Sequence, residues 1–104
     1  MSRSNPQSEE KTLIRSKEKL KPPSMYRVLL HNDNYTTMDF VIFVLESIFH
    51  KSPWEATEIM LHVHQNGVGI CGVYPFEIAE TKVQEVHDLA EQYEFPLQAS
   101  MEEV

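Results

Sequence analysis

Apolar positions change their period along this chain, and each change marks a new element. From Met25 to His31, Tyr26, Val28 and Leu30 alternate with Arg27, Leu29 and His31, the two-residue period of a strand. Phe40, Val41, Val44, Leu45, Ile48 and Phe49 then recur at helical spacing. Thr36 or Thr37 can cap that helix, and Asp39 stands in its first turn, where the helix dipole favours an anion. Ser52 and Pro53 suit the cap and first position of a second helix, which Gly67 ends. Val68 to Tyr74 reads as a second strand. A third helix starts near Pro75 and buries Ala79, Val83, Val86 and Ala90, with Ile78, Leu89 and Tyr93 alongside. Pro96 stops it, and Leu97, Ala99 and Met101 alternate as a last strand. The order β-α-α-β-α-β predicts an α+β fold. It is a small sandwich of a three-stranded, mostly antiparallel sheet with three helices on one face.

Residues 1–22 are rich in Ser, Asn, Gln, Glu and Lys and poor in apolar groups. They bury too little surface to offset chain entropy, so they read as a flexible N-terminal tail ahead of one domain over residues 23–104. Charge divides at nearly the same place: residues 1–24 carry +3 and residues 25–104 carry −10, summing to −7. An acidic domain lacks the clustered Lys and Arg that bind phosphates, so nucleic acid is not an expected partner. It suits a cationic ligand such as a free amino group. No apolar run approaches the ~20 residues that span a bilayer. The polar N-terminus does not resemble a secretory signal, and Cys71 is the sole cysteine, which together point to a reducing cytoplasm.

Candidate chemistry concentrates in two segments. Met60, Val63 and His64 stand at i, i+3 and i+4 and share one helix face. The loop Asn32-Asp33-Asn34 offers amide oxygens and a carboxylate. An apolar surface with polar groups at its rim fits a ligand with an apolar body and a cationic head. Duller readings exist for each residue: methionine as core filler, Asn and Asp as turn formers, His64 as a core histidine. His62 and His64 point about 200° apart on a helix and cannot chelate one ion. His31, His50 and His87 are scattered and read as solvated. Cys71, in a strand pattern, reads as packing rather than as a nucleophile.

Five runs stand out together: Lys21-Pro22-Pro23-Ser24-Met25-Tyr26, Leu30 to Met38, Met60 to Gly67, Ile70-Cys71-Gly72-Val73 and Ala79-Glu80-Thr81-Lys82. In order and spacing they resemble the ClpS family, the adaptors that hand N-degron substrates to the bacterial Clp protease. The resemblance covers nearly all of residues 21–104. It implies a pocket for a client's N-terminal Leu, Phe, Tyr or Trp. Asn32 and His64 are then the partners of the free α-amine, with Asp33 and Asn34 at the acidic positions of the loop. Thr36, Met38, Val41, Met60, Val63 and Leu97 form the wall, and Met38 resembles the gatekeeper against β-branched side chains. Glu77 and Lys82 match positions that dock the unfoldase ClpA, and the tail resembles the segment that the unfoldase engages. Two residues depart from the family's usual pattern: Asn34 stands where Asp is more frequent, and Thr37 where Pro is frequent.

The expectation is a non-enzymatic, monomeric adaptor without cofactor or metal. Its partners are a Clp AAA+ unfoldase (ClpA or a relative) with its peptidase ClpP, and N-degron clients. Two rival classes stay open: a small hydrolase built on Cys71 and His64, and a plain acidic interaction domain.

Overall fold

The computed structural model describes residues 22–104. The expected tail, all but Pro22, lies outside the described residues. Six elements follow: β1 (Met25–His31), α1 (Met38–Ser47), α2 (Pro53–Asn66), β2 (Val68–Pro75), α3 (Phe76–Gln92) and β3 (Gln98–Glu103). The sheet has the order β2-β1-β3, and both pairings are antiparallel. The first strand in sequence is therefore the central one.

Alternation along β1 decides which face is covered. Val28 and Leu30 are fully buried, while Arg27, Leu29 and His31 point to the other face and keep partial exposure. The β1–β2 register shifts between Val28, which faces Gly72, and Leu29, which faces Ile70. Cys71 is the extra residue at this bulge and stays buried. The helices close over the inward face, and Val44, Leu45, Ala56, Ala79 and Val86 complete the core.

Helix boundaries follow local chemistry. Thr37 caps α1, its hydroxyl accepting the Phe40 N–H at 3.1 Å. Ser52 caps α2 by accepting the Glu55 N–H, and Pro53 occupies the first turn. Gly67 ends α2 at φ 86°, a left-handed conformation that costs glycine little.

Four local expectations need correction. The third helix ends at Gln92, before Pro96, because Glu94 turns left-handed at φ 62° and Phe95 N–H reaches back to Ala90 O at 2.8 Å. Leu97 is buried but precedes β3 rather than belonging to it. Ile78 and Tyr93 are about half exposed: Ile78 lies about 100° round the helix from the buried Ala79, and Tyr93 is the C-cap residue past the last turn, where one side of its ring packs on Phe40 and Phe43. His31 and His87 are half-buried rather than solvated. His31 Nε2 lies 2.6 Å from Ser100 Oγ, and His87 Nε2 accepts the Ala99 N–H at 3.0 Å.

Candidate ligand-binding site

The loop after β1 is organised by its own carboxylate. Asp33 Oδ1 accepts the main-chain N–H groups of Tyr35 at 2.8 Å and Thr36 at 2.7 Å, and Oδ2 accepts the Thr36 hydroxyl proton at 2.6 Å. Burial alone would raise the Asp33 pKa, but these bonds from Thr36 and Tyr35 outweigh it and hold the group below its ordinary 3.8. The loop then runs into Thr37 and α1, which sets Met38 and Val41 beside it.

A main-chain bond brings in the second segment. Asn32 N–H donates to Gly67 O at 2.9 Å, so the loop is fastened to the end of α2. Met60, Val63 and His64 stand on that last stretch of helix, with Met60 and Val63 buried and His64 exposed. The exposure of His64 removes the reading of it as a core histidine. The negative end of the α2 dipole lies here and favours a cation.

Between loop and helix is a cavity of about 240 Å³, lined by Asn32, Asp33, Asn34, Thr36, Met38, Val41, Met60, Val63 and His64. Nine of the ten residues expected to form the pocket are thus brought together; Leu97 sits in the core and does not line it. Pockets for drug-sized ligands span about 300–1,000 Å³, so this one matches a single side chain.

Gly69 was not singled out by the sequence, although a glycine inside a strand pattern signals close approach. A Cβ at Gly69 would lie 2.7 Å from Val63 Cγ2. Its absence lets β2 pass tightly behind the cavity wall.

The remaining candidates lie elsewhere. Glu77 is exposed in the first turn of α3. Lys82 is half-buried; its Nζ donates to Ile48 O at 2.6 Å and lies 5.9 Å from the Tyr74 ring centroid. Burial pushes the Cys71 thiol up to about 12, against smaller opposing effects of Lys51 and the Leu30 main chain, so it stays protonated and poorly nucleophilic. Among the described residues no cluster of His, Cys, Asp or Glu has a metal-binding arrangement, and no helix is long and apolar enough to cross a membrane.

Comparison with known proteins agrees with this geometry. Residues 21–100 match the family model described as ATP-dependent Clp protease adaptor protein ClpS. A Phenylobacterium zucineum (strain HLK1) protein named ATP-dependent Clp protease adapter protein ClpS is 58% identical over 90 residues, spanning 86% of this chain and 83% of the relative. A protein of the same name from Hyphomonas neptunium (strain ATCC 15444) is 63% identical over 84 residues, 81% of this chain and 71% of the relative. Among solved structures, Agrobacterium tumefaciens ClpS2 bound to L-phenylalaninamide superposes with a TM-score of 0.77 at 36% identity, covering 80% of this chain and all of that one. The chain belongs to the ClpS family of ATP-dependent Clp protease adaptor proteins.

Proposed function

We propose that the cavity binds the N-terminal residue of a client protein, and that the chain thereby delivers destabilising N-termini (Leu, Phe, Tyr, Trp) to the Clp protease. One observation carries this reading: an apolar hollow of single-side-chain size has Asn32 and His64 at its polar edge. The ligand of the A. tumefaciens relative has the same two parts, an aromatic side chain and a free α-amine.

The energetics fit a reversible capture. Burying a Leu or Phe side chain yields roughly 1.5–3 kcal/mol. Each charge-assisted hydrogen bond to the ammonium adds roughly 1.5–3 kcal/mol. After association costs, a few such contributions reach about −8 kcal/mol, near micromolar. Asn32 Oδ1 and a His64 ring nitrogen accept from the ammonium. Asp33 and Asn34 complete the rim, and Asn34 leaves the site with one carboxylate fewer than the family usually has. Leu97 supports the wall from the core rather than touching the ligand. An internal residue has no ammonium and brings a preceding chain, so the site reads an end.

No covalent step belongs to this chain. ATP is spent by the partner, a Clp unfoldase such as ClpA or a relative working with ClpP. Glu77 and Lys82 form the docking side. The adaptor works as a cytoplasmic monomer. The deeply protonated, buried Cys71 disfavours the hydrolase reading.

The test is fluorescence anisotropy with two peptides of one sequence starting with Leu, one free and one acetylated at its N-terminus. Binding of the free form alone supports the reading. Equal binding, or none, overturns it.

A further inference from the structure

A second cavity, of about 210 Å³, lies next to the first and is lined by His31, Asn32, Asp33, Pro96 and Gln98. Asn32 and Asp33 line both cavities and form a shared wall. The first cavity is on the helix side of that wall. His31 and Gln98 are register partners in β1 and β3, each one residue away from the buried pair Leu30 and Ala99, so the second cavity is on the uncovered side of the sheet. His31 is held there by its 2.6 Å contact with Ser100.

Consecutive side chains of an extended peptide leave on opposite sides, with a rise of about 3.3 Å per residue. With the α-amine at Asn32 and the first side chain among Met38, Val41, Met60 and Val63, the second side chain is directed away from the helices, across the Asn32–Asp33 wall. We infer that the His31–Gln98 hollow is a subsite for the second residue of the client, and that it takes a long basic side chain, Arg or Lys. This rests on the N-terminal-residue reading above.

The lining explains the chemistry. Pro96 and the His31 ring offer a surface for an aliphatic stem. Gln98 supplies an amide oxygen. Asp33 supplies a carboxylate with about four acceptor positions, of which Tyr35 and Thr36 occupy three. One acceptor position therefore remains for a guanidinium or ammonium. A client with Asp or Glu second meets the same charge as repulsion.

The experiment uses the full chain and three free peptides of one sequence, beginning Leu-Arg, Leu-Ala and Leu-Glu. Affinity should fall in that order, with about threefold or more between Arg and Ala, the scale of a solvent-exposed charge contact. Gln98→Leu and His31→Leu leave the formal charge unchanged. Each should bring the Arg-to-Ala ratio close to one while Leu-Ala binds as before, with thermal melting confirming that both variants fold. Equal binding of the three peptides by the wild type overturns the subsite. So does a ratio that survives in both variants, which would leave the preference to the carboxylates of the domain, Asp33 included, with no part for the His31–Gln98 hollow. If no Leu peptide binds, or an acetylated one binds equally, the N-terminal reading itself has failed. Amine-dependent binding with a ratio of one sinks the subsite alone.

Discussion

Thr36 gives its hydroxyl proton to Asp33 Oδ2 at 2.6 Å, joining the acidic position of the loop to the cavity wall. Asp33 thus shapes the loop that displays Asn32 and Asn34. Thr36→Val should cost about 1 kcal/mol and Asp33→Ala about 2–3 kcal/mol of stability, the range for losing one neutral bond or several bonds to a charged acceptor. The pKa of Asp33 is pulled up by burial but held below 3.8 by the Thr36 and Tyr35 bonds. Its stabilisation is therefore complete above the unfolded-state pKa and fades as pH falls through the lower folded value. Between about pH 5 and about pH 3 the wild type should lose more stability than Asp33→Ala. Denaturant melts that shift in parallel for both proteins would contradict this.

Gly69 and Val63 make a sharper test of the wall. An alanine Cβ at residue 69 would stand 2.7 Å from Val63 Cγ2, too close for either to stay. Val63 is stiff at χ1 and lines the cavity. Gly69→Ala should push it inward and weaken peptides starting with Phe or Trp more than those starting with Leu. Overpacking of this kind costs about 1–3 kcal/mol, which a thermal melt will show. Uniform loss across all N-termini would mean that the strand, not Val63, had moved.

Glu77 and Lys82 should separate in a similar way. Lys82 donates to the Ile48 carbonyl at the C-terminal end of α1, whereas Glu77 is exposed. Lys82→Met should therefore lower stability by about 1–2 kcal/mol as well as weaken unfoldase docking. Glu77→Gln should weaken docking with the melting temperature unchanged. Equal melting temperatures for the wild type and Lys82→Met would leave Lys82 no structural role.

Met38 stands at the first position of α1, partly exposed over the cavity it lines. Shortening it to alanine should admit N-terminal Ile and Val, raising their affinity about tenfold, as expected when a contact worth about 1.4 kcal/mol of steric exclusion is removed. Binding of Leu, Ile and Val peptides before and after Met38→Ala measures this. Continued rejection of Ile and Val would move the gatekeeper elsewhere.

The element order and most of the cavity were legible because their signals are local. Alternation around Val28 and Leu30 marks β1, Ser52-Pro53 and Gly67 bracket α2, and nine cavity residues fall in two short segments. What was not legible depends on contacts between distant residues. Leu97 is as apolar as the wall residues, yet it is buried just ahead of β3 and does not line the cavity. His31 and His87 look like surface histidines until Ser100 and Ala99 arrive beside them from β3. Glu94 ended α3 early by adopting a left-handed turn that nothing in its type demands. Asp33 reads as a plain turn former or a plain ligand contact, whereas the geometry has it bonded to Tyr35 and Thr36 while it also lines the cavity.

The central place of β1 also has a kinetic meaning. Its two neighbours are β2 and β3, and the second pairing joins Arg27 to Glu102 across 75 residues. Closing so long a segment is entropically costly before any contact compensates, and such pairings slow folding. The loop from Asn32 to Thr36 grows out of that strand, and its main-chain bond to Gly67 forms only when β1 and α2 are both in place. Client capture therefore belongs to the end of the folding reaction: a partly folded copy has the residues of the site but not the site.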